Sequence, residues 1–138
     1  GDGKADIGVF RPESGVWFLL NSTAGFSGVQ FGSLNDRIVP ADYDGDGRTD
    51  IAVYRGGIWF LLQSSAGFAG VGFGTAEDIP VPADYDGDGR ADIAVFRPSS
   101  GVWFLLQSSG GFTGVQFGLN GDRPVAADYD GDGRADIA

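Results

Sequence analysis

Three copies of Asp-x-Asp-Gly-Asp-Gly-Arg-x-Asp constrain this chain more than anything else in it. They stand at Asp42–Asp50, Asp84–Asp92 and Asp128–Asp136, and a headless fourth copy opens the chain at Gly1–Asp6. Carboxylates at positions 1, 3, 5 and 9 of one tight loop make a cage of hard oxygen ligands. Ca²⁺ takes about 6–8 such oxygens, whereas Mg²⁺ keeps its waters and rarely accepts an all-protein cage. The expected carboxylate ligands are therefore Asp42, Asp44, Asp46 and Asp50; Asp84, Asp86, Asp88 and Asp92; and Asp128, Asp130, Asp132 and Asp136. Position 7 (Arg48, Arg90, Arg134) is expected to offer its carbonyl oxygen. In the headless copy Asp2, Lys4 and Asp6 take the corresponding places. Glycine at position 6 (Gly47, Gly89, Gly133) supplies the positive φ that wraps the backbone around an ion.

Asp-Gly-Asp-Gly also serves as a plain turn. A turn alone gains nothing from four like charges, which repel or raise one another's pKa unless a cation lies between them. The loop is not an EF-hand, because position 12 is Val53 or Val95 where an EF-hand places a bidentate glutamate. One Ca²⁺ per loop is expected. The net charge of −10 follows, since most of the 19 acidic residues lie in these loops. Only nine basic residues are present, and none of their groupings stands free of carboxylates, which argues against nucleic acid as a partner.

The loops recur with the rest of the sequence around them, so the architecture is a repeat. After each loop come Asp-Ile-Ala-Val or its equivalent, an arginine, a turn, an aromatic run ending Trp-Phe-Leu-Leu, a Ser/Gly stretch and Phe-Gly. The units span residues 1–41 (lacking the first strand and the first half of its loop), 42–83, 84–127 and the start of a fourth at 128–138. Each offers four strand candidates. The first precedes the loop (38–43, 79–85, 124–129), and its prolines suit an edge or an innermost, poorly paired strand. The second follows the loop at 7–11, 51–55 and 93–97, the third runs over 16–20, 58–62 and 102–106, and the fourth over 28–31, 70–73 and 114–117. The third is apolar on both faces, which predicts cover on both sides, as when small sheets stack in propeller blades or, alternatively, in a calcium-stapled solenoid. The expected fold is all-β: tandem four-stranded antiparallel blades of the β-propeller type, with the loop in each first hairpin and the ring incomplete within one chain.

The repeat resembles the FG-GAP/VCBS family, the blades of propellers such as the integrin α-subunit head and many bacterial surface proteins. The resemblance is carried by Asp42-Tyr43-Asp44-Gly45-Asp46-Gly47-Arg48-Thr49-Asp50-Ile51-Ala52-Val53 and its counterparts, with Phe31-Gly32, Phe73-Gly74 and Phe117-Gly118. It implies Ca²⁺ held in a β-hairpin by the four carboxylates of each loop. Propellers close with about 4–8 blades, and this chain carries three, so completion by further blades or end-to-end self-association is expected.

Cysteine, methionine and histidine are all absent. Lack of cysteine leaves the redox compartment open. Lack of methionine leads to the expectation of a processed or excerpted piece, with no signal peptide or membrane span in view. A non-enzymatic role is expected: Glu13 and Glu77 are the only glutamates, and a site saturated by carboxylates offers no open Lewis-acid position. The serine pairs Ser64-Ser65 and Ser108-Ser109 read as turn residues, as do Asp36, Asp78 and Asp122. Two readings remain, a structural scaffold or filament outside the cell and a module recognising a glycan or protein. Trp17, Trp59 and Trp103 could stack on sugars, but their apolar neighbours point to the core. Arg11, Arg55 and Arg97 are expected to bridge blades or bond backbone. The carboxylate count suits millimolar extracellular Ca²⁺. The sequon Asn21-Ser22-Thr23 has no counterpart at Gln63 or Gln107 and reads as incidental.

Overall fold

A computed structural model describes residues 2–138, so Gly1, the first residue of the headless loop, lies outside the described residues. Among these the chain is all-β and antiparallel, with no helix long and apolar enough to cross a membrane. The first blade holds β1 (Ile7–Arg11), β2 (Val16–Asn21) and β3 (Gly25–Gln30). The second holds β4 (Arg37–Ile38), β5 (Ile51–Arg55), β6 (Ile58–Gln63) and β7 (Gly67–Gly72). The third holds β8 (Ile79–Pro80), β9 (Ile93–Arg97), β10 (Val102–Gln107) and β11 (Gly111–Gln116). Within each sheet the strands follow chain order, and the sheets do not close into a barrel.

The second strands fall where the sequence places them, because Ile-Ala-Val-(Tyr/Phe)-Arg is bounded by a loop and a turn. Two expectations are corrected. The first strand is much shorter than the segment read from sequence. It pairs over two residues in the second and third blades and, at 124–129, not as a strand at all. Pro40, Pro80, Pro82 and Pro124 cannot donate to a ladder, so contact continues only as separate bonds. Val39 donates to the Ala52 carbonyl at 2.9 Å, and Ala41 bridges Asp50. The fourth strand begins earlier than expected, at Gly25, Gly67 and Gly111, since the turn before it is confined to three residues.

The two-sided apolar character of the third strand is explained by stacking. Tyr54, Trp59 and Leu61 from one face of the second blade pack with Ile93 and Val95 from the opposite face of the third, with Phe104 and Leu106 against them. Phe96, Trp103 and Leu105 of the third blade are covered by Ala126, Ala135 and Ile137 from the start of the next unit. The corresponding outer face of the first blade leaves Ile7, Val9 and Leu20 exposed.

The tryptophans are core residues. Each indole donates from Nε1 to the carbonyl of the Phe-Gly phenylalanine: Trp17 to Phe31 (2.8 Å), Trp59 to Phe73 (3.0 Å) and Trp103 to Phe117 (2.8 Å). At Gly32 and Gly74 the following glycine is then pressed between its own blade and the next. A Cβ on Gly74, whose φ is +105°, would stand 2.7 Å from the Tyr54 hydroxyl oxygen and 3.1 Å from Val95 Cγ1. This is the structural use of the Phe-Gly pair.

Arg55 and Arg97 link successive blades, as expected of them. Each grips the aspartate of the preceding blade's Phe-Gly turn, Arg55 on Asp36 and Arg97 on Asp78, and lies over Phe60 or Phe104. Arg11 lies over Phe18 in the same way.

Candidate metal centre

Each loop runs from the end of the first strand segment to the start of the second, and its glycines let it turn so tightly. Gly45 and Gly47 take φ of +77° and +81°, and the matching glycines of the later loops lie close to these values. Asp42 is the hub. Its Oδ1 accepts the N–H of Gly45 (2.7 Å) and Asp46 (3.2 Å), and its Oδ2 accepts that of Gly47 (2.8 Å). Asp84 and Asp128 do the same in their loops.

The structure gathers positions 1, 3 and 9. Carboxylate oxygens of Asp42, Asp44 and Asp50 all lie within 4.8 Å of one another, and so do those of Asp84, Asp86 and Asp92, and of Asp128, Asp130 and Asp136. Asp50 and Asp92 are almost wholly buried, at 2% and 1% exposed. Asp50 accepts the N–H of Tyr43 (2.9 Å) and of Ser64 (2.7 Å), and Asp92 that of Tyr85 (2.8 Å) and Ser108 (2.7 Å). Burial pushes the Asp92 carboxyl above the ordinary aspartate range. Burial, with Asp50 and Asp92 nearby, likewise raises the Tyr43 and Tyr85 hydroxyls, which donate to the Val39 and Val81 carbonyls.

Position 5 is held differently. Asp46 Oδ1 accepts the Arg48 N–H at 2.9 Å, while its Oδ2 takes the hydroxyls of both Ser64 and Ser65. Asp88 repeats this with Arg90, Ser108 and Ser109. Those hydroxyl bonds hold both carboxyls below the ordinary aspartate range. Asp44 Oδ2 accepts the N–H of Ser65 and Ala66, both at 2.9 Å, and Asp86 that of Ser109 and Gly110. The turn between the third and fourth strands therefore closes over the loop. The serine pairs stand in turns, as read from the sequence, and they also bond the loop carboxylates, which that reading did not foresee. Their signal was recurrence at a matching place in both units.

In the headless copy, Asp2 accepts the Ser22 hydroxyl (2.6 Å) and the Lys4 N–H (3.1 Å), and Asp6 accepts the Ser22 N–H (2.7 Å). Ser22 thus plays the part of Ser64. Asp132 accepts the Arg134 N–H at 2.8 Å, in the manner of Asp46 with Arg48.

The donor set of each complete loop is oxygen throughout, with three carboxylates converging and a fourth beside them. That chemistry fits a hard cation, and the backbone N–H bonds help to orient the carboxylates. A family model described as FG-GAP-like repeat matches residues 1–53 and 84–138, well over half of the chain. The chain belongs to the FG-GAP-like repeat family. No curated protein and no solved structure matches it. In this FG-GAP-like chain the two matched stretches take in the headless and first complete loops, then the second and third complete loops.

Proposed function

We propose that this FG-GAP-like chain is a non-enzymatic, calcium-binding repeat module that acts outside the cell as a structural scaffold or self-associating array. The observation that carries the reading is the recurrence of one three-carboxylate group at the same place in successive blades. Asp42 and Asp44 follow the weakly paired first segment, Asp50 immediately precedes the second strand, and the Ser64–Ala66 turn joins the third and fourth. A cation among these carboxylates would clamp parts of one blade that few ladder bonds join. Ca²⁺ suits the all-oxygen set better than Mg²⁺, and extracellular Ca²⁺ is abundant enough to keep such sites filled.

Self-association, end to end or as completion of a propeller, would cover the exposed Ile7, Val9 and Leu20 of the first blade. A second reading, recognition of a glycan or protein, draws on other features. Phe26, Phe68 and Phe112 stand exposed at equivalent places on β3, β7 and β11. A cleft of about 720 Å³ between the first two blades is lined by Trp17, Asn21, Ile38, Arg48 and Ser64 among others. The buried tryptophans no longer favour that reading.

The test is a calorimetric melt in Ca²⁺ and then in EDTA, with light scattering alongside. At a free Ca²⁺ about 100 times Kd, each site adds about 2.7 kcal/mol, so chelation should lower the melting temperature substantially. A melt indifferent to EDTA would refute the calcium staple. A particle mass that stays monomeric over the working concentration range would remove the array.

A further inference from the structure

The loops touch one another through contacts outside their ligand sets. Ala91 donates its N–H to the carbonyl of Asp42 at 2.7 Å, and Ala135 donates to the carbonyl of Asp84 at 2.7 Å. Asp42 and Asp84 hold position 1 of their loops, and Ala91 and Ala135 sit between positions 7 and 9 of the next. One residue thus turns its carboxylate toward its own loop and its carbonyl toward the following one. An arginine covers the same junction. A Cβ built on Gly45 would stand 3.0 Å from Arg90 Cγ and 3.2 Å from Nε; on Gly87 it would stand 3.0 Å from both atoms of Arg134. The arginine lies on bare backbone that only glycine leaves open.

We infer, resting on the calcium reading of these loops, that they bind cations cooperatively and in series, with the Asp42–Ala91 and Asp84–Ala135 bonds carrying occupancy from blade to blade. A cation in the Asp42 loop fixes Asp42, and with it the carbonyl that Ala91 needs. Ala91 is joined covalently to Arg90 and Asp92, two expected ligands of the next ion. Part of the ordering cost of the Asp84 loop is then met before its own cation arrives, and such coupling requires no movement of the blades. Linkage makes the effect reciprocal. The apolar stacking of the second and third blades keeps their two loops in register. Repulsion between cations works the other way, but salt screens it.

The experiment is a Ca²⁺ titration of the isotope-labelled full chain by amide NMR, reading Gly47, Gly89 and Gly133 as reporters of the three complete loops. Asp44→Asn removes a charged ligand from the Asp42 loop while leaving an oxygen to accept the Ser65 and Ala66 bonds. The Gly89 midpoint should rise by about fivefold, the lower end of ordinary coupling, with Gly133 moving less. The shift should persist in about 0.5 M KCl, where charges are screened beyond about 4 Å. Asp130→Asn, at the other neighbour, should raise the Gly89 midpoint similarly. Arg90→Ala spares every ligand atom and should shrink the effect of Asp44→Asn, in a double-mutant cycle. A Gly89 midpoint unmoved or lowered by both asparagine variants overturns the coupling while the sites stand. If no loop amide of the parent chain responds to Ca²⁺, the calcium reading itself fails.

Discussion

Asp36 and Asp78 occupy the same turn in successive blades, so removing each in turn separates chemistry from burial. Arg97 grips Asp78 at two points, Nε to Oδ1 at 2.8 Å and Nη2 to Oδ2 at 2.9 Å, and Arg55 grips Asp36 at 2.6 and 2.8 Å. Both carboxylates are fully buried, but the Arg97 side chain is 28% exposed and that of Arg55 50%. Each aspartate also accepts a turn N–H, from Thr75 or Ser33. Alanine at 36 leaves the Arg55 guanidinium over an aromatic ring with no counter-charge, alanine at 78 leaves Arg97 only the exposed Glu77 carboxylate at 3.7 Å, and each leaves one turn N–H without its partner. Breaking a fully buried pair costs about 3–5 kcal/mol, whereas exposed pairs are worth about 0–1 kcal/mol. The pairs fall between these limits in the order of their exposure, giving about 2.5 kcal/mol for Asp78→Ala and about 1 kcal/mol for Asp36→Ala.

At roughly 3–4 °C per kcal/mol for a chain of this length, the melting temperature should fall by about 9 °C and about 3 °C respectively. Calorimetry and urea titration in saturating Ca²⁺ would read both, and the pair lies away from the loops, so the difference should survive in EDTA. Equal losses, or a larger loss for Asp36→Ala, would refute the argument that solvent access to the arginine sets the value of the staple.

Three further outcomes are expected. The Arg55 guanidinium, over burial, holds Asp36 below the ordinary aspartate value; at Asp78 burial pushes up, and Arg97 with the Thr75 N–H outweighs it. A lowered folded pKa contributes stability above the unfolded value of about 3.9 and loses it as pH falls through the folded value. The urea midpoint of the parent chain should therefore converge on that of the Asp36→Ala/Asp78→Ala double variant as pH drops from about 4 toward 2, with a constant gap above pH 5. Replacing both Ser64 and Ser65 by alanine removes the hydroxyls that Asp46 accepts and should weaken Ca²⁺ binding at that loop about tenfold, or two hydrogen bonds' worth. Isothermal calorimetry showing unchanged affinity would leave the serines as turn residues only. Gly57→Ala places a Cβ 2.6 Å from the Gly74 carbonyl at a φ of +92°, whereas Gly47→Ala meets nothing within 4 Å at +81°. Urea titration in EDTA should find Gly57→Ala costing about 3 kcal/mol and Gly47→Ala about 1 kcal/mol; equal costs would dismiss the close approach of the two turns.

Local signals and non-local contacts divide what the sequence disclosed. The second and third strands were legible because Ile51–Arg55 and Ile58–Gln63 are apolar runs bounded by turn residues, and their stacking was legible because both faces are apolar. The loops were legible as carboxylate clusters because their ligands are near neighbours in sequence. Partners from elsewhere in the blade were not. Nothing local tells that Ser64 reaches Asp46 and Asp50, or that Asp78 awaits Arg97. The Phe-Gly pair was visible as a recurrence, but its use depends on the Trp59 indole arriving at the Phe73 carbonyl. The length of the fourth strand was misjudged for a different reason. Gly67-Phe68-Ala69-Gly70 has weak strand propensity, and pairing with β6 extends the strand through it.

The weakness of the first strand and the strength of the loop belong together. Prolines reduce β4 and β8 to two paired residues each, yet Tyr43 and Tyr85 from these segments are core residues, and Tyr43 meets Trp59 edge to ring at 6.4 Å. Something other than a ladder has to keep the segment in place. The hydrogen bonds that do so converge on acid side chains: Asp50 holds the Tyr43 N–H, and Asp44 reaches across to the Ser65–Ala66 turn. A blade built this way has its edge segment fastened by carboxylates that repel one another, so under the proposed function whatever neutralises them would set its rigidity. On the proposed calcium reading, cation concentration would control the attachment of that segment and leave the β5–β6–β7 ladder intact. In EDTA, hydrogen exchange should accelerate first at Val39, Tyr43 and Asp50 and only later at Trp59, Phe60 and Leu61. Uniform acceleration across the blade would mean that the loop and the ladder unfold as one unit, and that the carboxylates do not fasten the first strand separately.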